Sequence, residues 1–164
     1  MGVLYLDSSA VVKIYIPETG SPWVRSLVEA VTPEGEWENE IALAKIGIVE
    51  VVAAIAKRRR MRDITAEQQK KLIANFLDDC VERFAKFDAD DSVIKLAVDL
   101  AQRHPLRGYD AVHLATAITL SRTLVASKLP PLAFISADDV LCTAAKGERL
   151  LAENPNKQGG AING

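Results

Sequence analysis

The sequence predicts an α/β fold, a three-layer α/β/α sandwich with a mainly parallel central sheet. Short apolar runs rich in β-forming residues alternate with longer runs that have helical periodicity. Two of the short runs, in "VLYLDSS" and "LAFISADD", end in an aspartate that can cap a following helix. With 164 residues, 49% of them hydrophobic and 26% charged, the chain fits one domain with a sizeable core.

Five short runs account for the predicted strands. The first is apolar throughout, whereas the third has a weaker pattern. In chain order the runs cover residues 3–6, 41–46, 83–88, 131–139 and 148–155. Because helical segments separate them, successive strands are expected to run parallel.

Periodicity and capping residues predict the helices between these strands. Pro22 stands at a first helical position, and the run "KRRR" places cations at a helix C-terminus, where they suit the helix dipole. Thr65 and Gln68 form a capping-box pattern ahead of another helix. The predicted helices begin near residue 10 and at residues 21, 47, 65, 90 and 109, and a short one follows residue 139.

The chain shows no internal repeat and no linker between domains. We therefore predict one domain over residues 1–154, with a helical insertion at about 62–83 and a flexible tail at 155–164 that lacks apolar content. The apolar N-terminal run is too short for a signal peptide or a membrane span, which predicts a cytoplasmic protein. Cys80 and Cys142 have no C-x-x-C spacing and suit buried thiols in a reducing compartment.

Two aspartates follow predicted strands directly. Asp7 comes after "VLYL" and Asp138 after "LAFISA", two residues beyond Ser136. In a parallel α/β sheet, functional sites form at the carboxyl ends of the strands. The alternative is that each aspartate only caps the helix that follows it.

Two further acids lie on helix faces that carry small residues. Glu50 aligns with Gly47 and Ala54, and Asp110 aligns with Ala117. A carboxylate on a packing face must be neutral, paired or bound. Glu50 could instead pair with an arginine or lie at the rim of the core.

If the four acids converge, they need a compensating cation. Two carboxylates 4 Å apart repel each other by about 4 kcal/mol at an effective dielectric constant near 20. A set of oxygen ligands favours Mg²⁺ or Mn²⁺ over zinc. The two histidines, His104 and His113, have no second nitrogen or sulfur ligand at zinc-like spacing, and we interpret both as structural or solvent-facing.

Four sequence blocks follow one another from residue 3 to about 145. They are "LYLDSSAVVKIY", "IVEVVAAIAKR", "LRGYDAVHLATA" and "FISADDVLCTAA". Taken in order, they resemble the blocks of PIN-domain ribonucleases, and most closely those of the VapC-like toxins of type II toxin–antitoxin systems. The pattern R-G-Y-D-A-x-x-L-A-x-A is the most specific part. The resemblance implies an endoribonuclease that depends on Mg²⁺ or Mn²⁺ and cleaves single-stranded or structured RNA with metal-activated water.

The same resemblance assigns the site residues. The family's acidic quartet falls on Asp7, Glu50, Asp110 and Asp138, as catalytic residues and metal ligands. The hydroxyls expected to support the quartet fall on Ser8 or Ser9 and on Ser136, and Asp139 is an adjacent acid that could add an outer contact.

One stretch departs from the family pattern. Members often carry a Ser or Thr shortly before the glutamate, where this chain has Lys45, Ile46 and Gly47. The resemblance also implies a homodimer and an antitoxin partner that blocks the acidic pocket, often by inserting an arginine.

Binding of RNA would need a local group of basic side chains, because the net charge of the chain is −2 and gives no overall attraction for a polyanion. Arg103 and Arg107, just upstream of Asp110, are the candidates for contact with phosphate. The densest basic run, residues 57–62, is either a second candidate or a solvated helix end.

Two alternatives to a ribonuclease stay open at this stage. A phosphoacceptor receiver domain also places acids at strand ends, with Asp88 as its aspartate and Ser136 as its hydroxyl. The second alternative is a PIN fold that carries the four acids and binds a ligand but does not catalyse cleavage. The RNA target, the antitoxin and the number of metal ions cannot be predicted from these residues.

Overall fold

The computed structural model describes residues 2–158 and contains one five-stranded sheet. All four strand pairings are parallel, and the spatial order is β3-β2-β1-β4-β5. The strands are β1 (Gly2–Leu6), β2 (Asn39–Ala44), β3 (Ala85–Phe87), β4 (Ala133–Ile135) and β5 (Leu151–Glu153). The parallel sheet predicted from the alternating runs is confirmed, including the third strand, whose sequence pattern is weaker.

In residues 2–158, seven α-helices cover the two faces of this sheet. They are α1 (Ser8–Tyr15), α2 (Ser21–Val28), α3 (Lys45–Arg60), α4 (Ala66–Glu82), α5 (Asp91–Arg103), α6 (Gly108–Ala126) and α7 (Asp139–Gly147). Within residues 2–158, no helix is both long enough and apolar enough to cross a membrane.

Two apolar cores, one on each face, make the three-layer sandwich. Side chains of α1 to α4 pack against Leu4 and Leu6 of β1, whereas those of α5 to α7 pack against Tyr5. This alternation is the period of two that a strand imposes on its side chains. The predicted α/β/α sandwich is therefore confirmed.

The order of the strands fixes where a site can form. The chain moves from β1 to one side of the sheet through β2 and β3, and then returns to the other side of β1 with β4. The carboxyl ends of β1 and β4 are thus neighbours at the point where the order reverses, where ligands bind in open α/β sheets. The backbone N–H of Asp7 donates to the carbonyl of Ile135 at 3.1 Å and holds these ends together.

Two helices, α1 and α3, begin about two residues earlier than the sequence predicts. Helix α1 begins at Ser8, not near residue 10, because Asp7 itself caps it. Helix α3 begins at Lys45, directly after β2, so Lys45 and Ile46 are helical and not part of the strand. No side chain caps α3, which agrees with the missing Ser or Thr at this stretch.

The segment predicted as an insertion is helix α4, which packs against α3. Thr65 and Gln68 form the expected capping box, with both hydrogen bonds present. Phe76 and Cys80 are buried and tie α4 to the core that α1 to α3 share.

The predicted tail begins with a short helix. Pro155–Lys157 form a 3₁₀ helix, and Pro155 is buried. Gly20 allows this contact: its φ is +84°, and a Cβ there would lie 2.7 Å from the Pro155 backbone. The rest of the predicted tail, residues 159–164, lies outside the described residues.

Candidate active site

Asp7 lies at the end of the central strand and is 4% exposed. Its Oδ1 accepts a hydrogen bond from the backbone N–H of Ala10 at 3.0 Å and another from the Ser9 hydroxyl at 2.6 Å. Its Oδ2 accepts the Ser136 hydroxyl at 2.6 Å. The capping alternative is therefore correct but incomplete, since Asp7 caps α1 and also lines a cavity described below.

The two serines that bind Asp7 also hold the neighbouring loop. The Ser9 hydroxyl oxygen accepts from the N–H of Ala137 at 2.9 Å, and the Ser136 hydroxyl oxygen accepts from the N–H of Asp138 at 3.1 Å. Each hydroxyl thus donates to one carboxylate oxygen and accepts from the loop after β4. This arrangement fixes the Asp7 carboxylate relative to Asp138.

Burial dominates the electrostatics of Asp7. Loss of water raises the pKa of its carboxyl above the usual value of 3.8, although His113 and the hydrogen bonds from Ser136, Ser9 and Ala10 act in the opposite direction. A carboxylate in this position is stabilised when a further cation approaches it.

Glu50, in the second turn of α3, is held by a buried histidine of α6. The Nε2 of His113 lies 2.5 Å from Oε1 of Glu50, and its Nδ1 lies 3.0 Å from the hydroxyl of Tyr5. His113 is only 1% exposed. Burial by itself would lower the pKa of His113, but the hydrogen bond to Glu50 and the charge of Asp7 outweigh it and raise that pKa.

Gly47 makes room for this histidine. A Cβ at Gly47 would lie 3.2 Å from Cε1 of His113, closer than most side-chain contacts. The departure from the family pattern before Glu50 therefore has a physical reason: the imidazole packs against the glycine one turn before the glutamate.

Asp110 and Asp138 share one guanidinium. The Nε of Arg107 donates to Oδ2 of Asp110 at 3.0 Å, and its Nη2 lies 3.7 Å from Oδ2 of Asp138. The Arg107 side chain is 82% exposed, so it reaches over the carboxylates from the solvent side. The hydrogen bond with Asp110 raises the pKa of Arg107.

The four predicted acids line one cavity of about 370 Å³, called the acidic pocket below. Its lining residues are Asp7, Ser8, Ser9, Glu50, Arg107, Tyr109, Asp110, Ala137 and Asp138. Within the described part of the chain, no three His, Cys, Asp or Glu side chains are close enough to hold one metal ion. In this arrangement His113 holds Glu50, and Arg107 lies against Asp110 and Asp138.

Two residues expected at the site lie elsewhere. Arg103 forms an ion pair with Glu148. Asp139 accepts one hydrogen bond from Asn154 at 2.8 Å and pairs with Lys157 at 2.6 Å. The structure does not bring Arg103 or Asp139 into the acidic pocket. Their expected contacts with phosphate and with the metal ion stay predictions.

The burial of His113 agrees with its interpretation as structural, but sequence reasoning missed its contact with Glu50. A signal was present, because His113 follows Asp110 by three residues and so shares its helix face. Tyr5, at an apolar strand position, carried no comparable signal. Its contact with His113 depends on the packing of α6 against β1.

The chain matches the family model "PIN domain" over residues 4–128, which covers most of the strands and the first three acids of the quartet. The chain therefore belongs to the PIN-domain family. Within this family it is 34% identical over 122 residues to two proteins of Mycobacterium tuberculosis, ribonuclease VapC45 of strain CDC 1551 / Oshkosh and ribonuclease VapC49 of strain ATCC 25618 / H37Rv. The alignment covers 73% of this chain and 78% of each relative.

A solved structure shares the fold. A toxin–antitoxin complex from Klebsiella pneumoniae superposes with a TM-score of 0.58 at 18% identity, covering 93% of this chain and 97% of that one. Because the chain belongs to the PIN-domain family, it is not a phosphoacceptor receiver domain. Asp88 lies at the edge strand β3, where it is 71% exposed and pairs with Lys45 at 2.7 Å.

Proposed function

We propose that this protein is an endoribonuclease dependent on Mg²⁺ or Mn²⁺, and that it acts as the toxin of a toxin–antitoxin pair. The observation that carries the proposal is that carboxylates from β1, α3, α6 and the end of β4 line one pocket. The relatives named ribonuclease support the reaction class.

The residues of the acidic pocket suit a divalent cation by their chemistry. The pocket offers carboxylate and hydroxyl oxygens, the ligands that Mg²⁺ and Mn²⁺ prefer. A cationic group, the Arg107 guanidinium, already lies between Asp110 and Asp138. Because its side chain is 82% exposed, it can turn into solvent when a metal ion replaces it.

Asp7, Asp110 and Asp138 would hold the ion, and Glu50 would complete the set or orient the attacking water. A bound divalent ion supplies charge compensation and makes a bound water more acidic. The side chains of the protein position the carboxylates. The serines around Asp7 and the histidine behind Glu50 keep two carboxylates in place, while Arg107, once released, is free to contact a phosphate of the RNA.

A first test measures cleavage of a labelled single-stranded RNA by the purified chain. We expect cleavage with Mg²⁺ or Mn²⁺, loss of cleavage in excess EDTA, and recovery when the metal is added back. Since water is the nucleophile, the products should carry a 5′-phosphate and a 3′-hydroxyl. A ribonuclease that uses the 2′-hydroxyl of the substrate leaves a phosphate on the 3′ side.

An Asp110→Asn variant purified in the same way controls for contaminating ribonuclease. Equal cleavage by both preparations, or cleavage that persists in EDTA, would contradict the proposal. Metal binding without turnover by the wild-type chain would favour the alternative, a PIN fold used for binding.

The proposed toxin role includes a cytoplasmic location, an antitoxin partner and a homodimer. Exposed apolar side chains on neighbouring helices suit contact with another chain, and they include Ile94 and Val98 of α5 and Val125 of α6. We expect light scattering of the lone chain to give the mass of a dimer. A heavier complex should form when the product of the adjacent gene is co-expressed, and that complex should cleave RNA more slowly.

A further inference from the structure

The basic run at the end of α3 divides between two surfaces. Lys57, Arg58 and Met61 line one cavity, whereas Arg59 and Arg62 line a smaller one near the start of α4. The run is therefore more than a solvated helix end, because part of it forms the wall of a concave surface.

The first of these cavities, called the basic groove below, is continuous with the acidic pocket. Its volume is about 760 Å³. The two cavities share five lining residues, which are Ser8, Ser9, Glu50, Arg107 and Ala137. The two cavities are therefore adjacent, and a chain bound in the acidic pocket can extend into the groove.

One face of α3 connects the two cavities. Glu50, Ala54, Lys57, Arg58 and Met61 follow the spacing i, i+4, i+7, i+8 and i+11, and all five line the groove. Lys57 lies two turns beyond Glu50, or about 10 Å along the helix. Met61, at the far end, is 59% exposed and offers an apolar surface.

The groove has the opposite charge to the acidic pocket. Its lining carries Lys13, Lys57, Arg58 and Arg107 against Glu18 and Glu50. Glu18 pairs with Lys13 at 2.8 Å and with Arg58 at 2.5 Å. None of the ion pairs formed among residues 2–158 includes Lys57, which leaves its ammonium available to an anion from outside the chain.

We propose that the basic groove binds the RNA strand that flanks the scissile phosphate, with Lys57 contacting a phosphate of that flank and Met61 packing on a base. This assignment rests on the proposed ribonuclease function. The groove favours a polyanion, because the exposed ammonium of Lys57 lies two helical turns from the carboxylate of Glu50, in a cavity that adjoins the acidic pocket. A protein partner in the same groove is the outcome that would contradict it.

The test compares Lys57→Glu with Arg60→Glu. Both residues are exposed, and both variants reverse one charge in the same basic run. The difference is that Lys57 lines the basic groove, whereas Arg60 lines neither of the two cavities. On a long RNA substrate, Lys57→Glu should raise KM about tenfold with little change in kcat, and Arg60→Glu should leave KM nearly unchanged. On a dinucleotide, which is too short to extend from the acidic pocket to Lys57, the two variants should behave alike.

A binding measurement separates this inference from the proposed function. Fluorescence anisotropy of a labelled RNA is recorded with Asp7→Asn chains, with and without Lys57→Gln. The Lys57→Gln change should weaken binding and reduce the slope of log K against log salt by about 0.7, the value for one phosphate on a single strand. This readout needs no cleavage, so it stands even if the wild-type chain has no ribonuclease activity.

The inference is overturned if the Lys57 variants bind and cleave long RNA as the Arg60 variant does while circular dichroism reports an intact fold. It is also overturned if Lys57→Glu leaves RNA binding and RNA cleavage unchanged but weakens inhibition by the antitoxin. That result would assign the groove to the protein partner.

Discussion

Replacing Asp7 with asparagine is expected to reduce metal-dependent RNA cleavage by more than about 100-fold, the upper range for loss of a group that merely supports a metal ligand. The fold should persist, since asparagine caps a helix as well as aspartate does. Its amide oxygen can still accept from Ala10 and Ser9, and the Ser136 hydroxyl can turn to accept from the amide nitrogen.

The same substitution should make the metal-free protein more stable at neutral pH. Burial raises the pKa of Asp7 in the folded chain, so the stability associated with its neutral form is present below pH 3.8 and is lost as the pH rises through the raised value. The asparagine side chain carries no charge to desolvate. Urea unfolding in EDTA should give a gain of about 0.5–2 kcal/mol at pH 7, in the range typical of such substitutions, and a smaller gain near pH 4.

Asp90→Asn is the matched control. Asp90 also caps a helix through the N–H three residues on, but it is exposed and lies away from the pocket. Hydrogen bonds from Val93 and Ser92 lower its pKa, so the sign is reversed: its stabilising charge is lost as the pH falls. Asp90→Asn should leave cleavage unchanged and should not stabilise. Full activity in Asp7→Asn, or a loss of stability at pH 7 in EDTA, would contradict this account of the site.

Replacing His113 with phenylalanine is expected to reduce both activity and stability. The ring volume is nearly kept, but Glu50 loses its buried donor and the Tyr5 hydroxyl loses its hydrogen bond with Nδ1. An unpaired buried group costs about 1–3 kcal/mol, which urea unfolding can measure. Cleavage and Mn²⁺ affinity should each fall by about 10- to 100-fold, as for other groups that orient a metal ligand.

Two comparisons separate positioning of Glu50 from a general loss of stability. If His113 acts through Glu50, adding His113→Phe to a Glu50→Ala variant should cause little further loss of cleavage. His104→Phe removes the other imidazole–glutamate pair, between His104 and Glu148 at 2.7 Å, which lies outside the acidic pocket. It should affect stability alone. If the losses of cleavage caused by His113→Phe and Glu50→Ala add up in the double variant, His113 does not act by positioning Glu50.

The order of strands and helices could be predicted because it depends on local patterns. Apolar runs of β-forming residues, capping residues such as Thr65, and the cations ending α3 are all features of neighbouring residues. The boundaries at Ser8 and Lys45 were less predictable, since Asp7 and β2 pass directly into helices. The burial of Pro155 was not predictable, because it depends on contact with Gly20, which is far away in the sequence.

The chemistry of the site divides in the same way. The sequence by itself determined the fold class, and its local patterns placed Asp7 and Asp138 after strands and Glu50 and Asp110 on helix faces. The family resemblance of the sequence assigned these four acids to one site. Only the tertiary structure decided what holds each acid. The imidazole behind Glu50, the guanidinium over Asp110 and the groove beside Lys57 arise when α3 and α6 pack around the sheet, and no local pattern encodes the distances between residues that far apart in the chain.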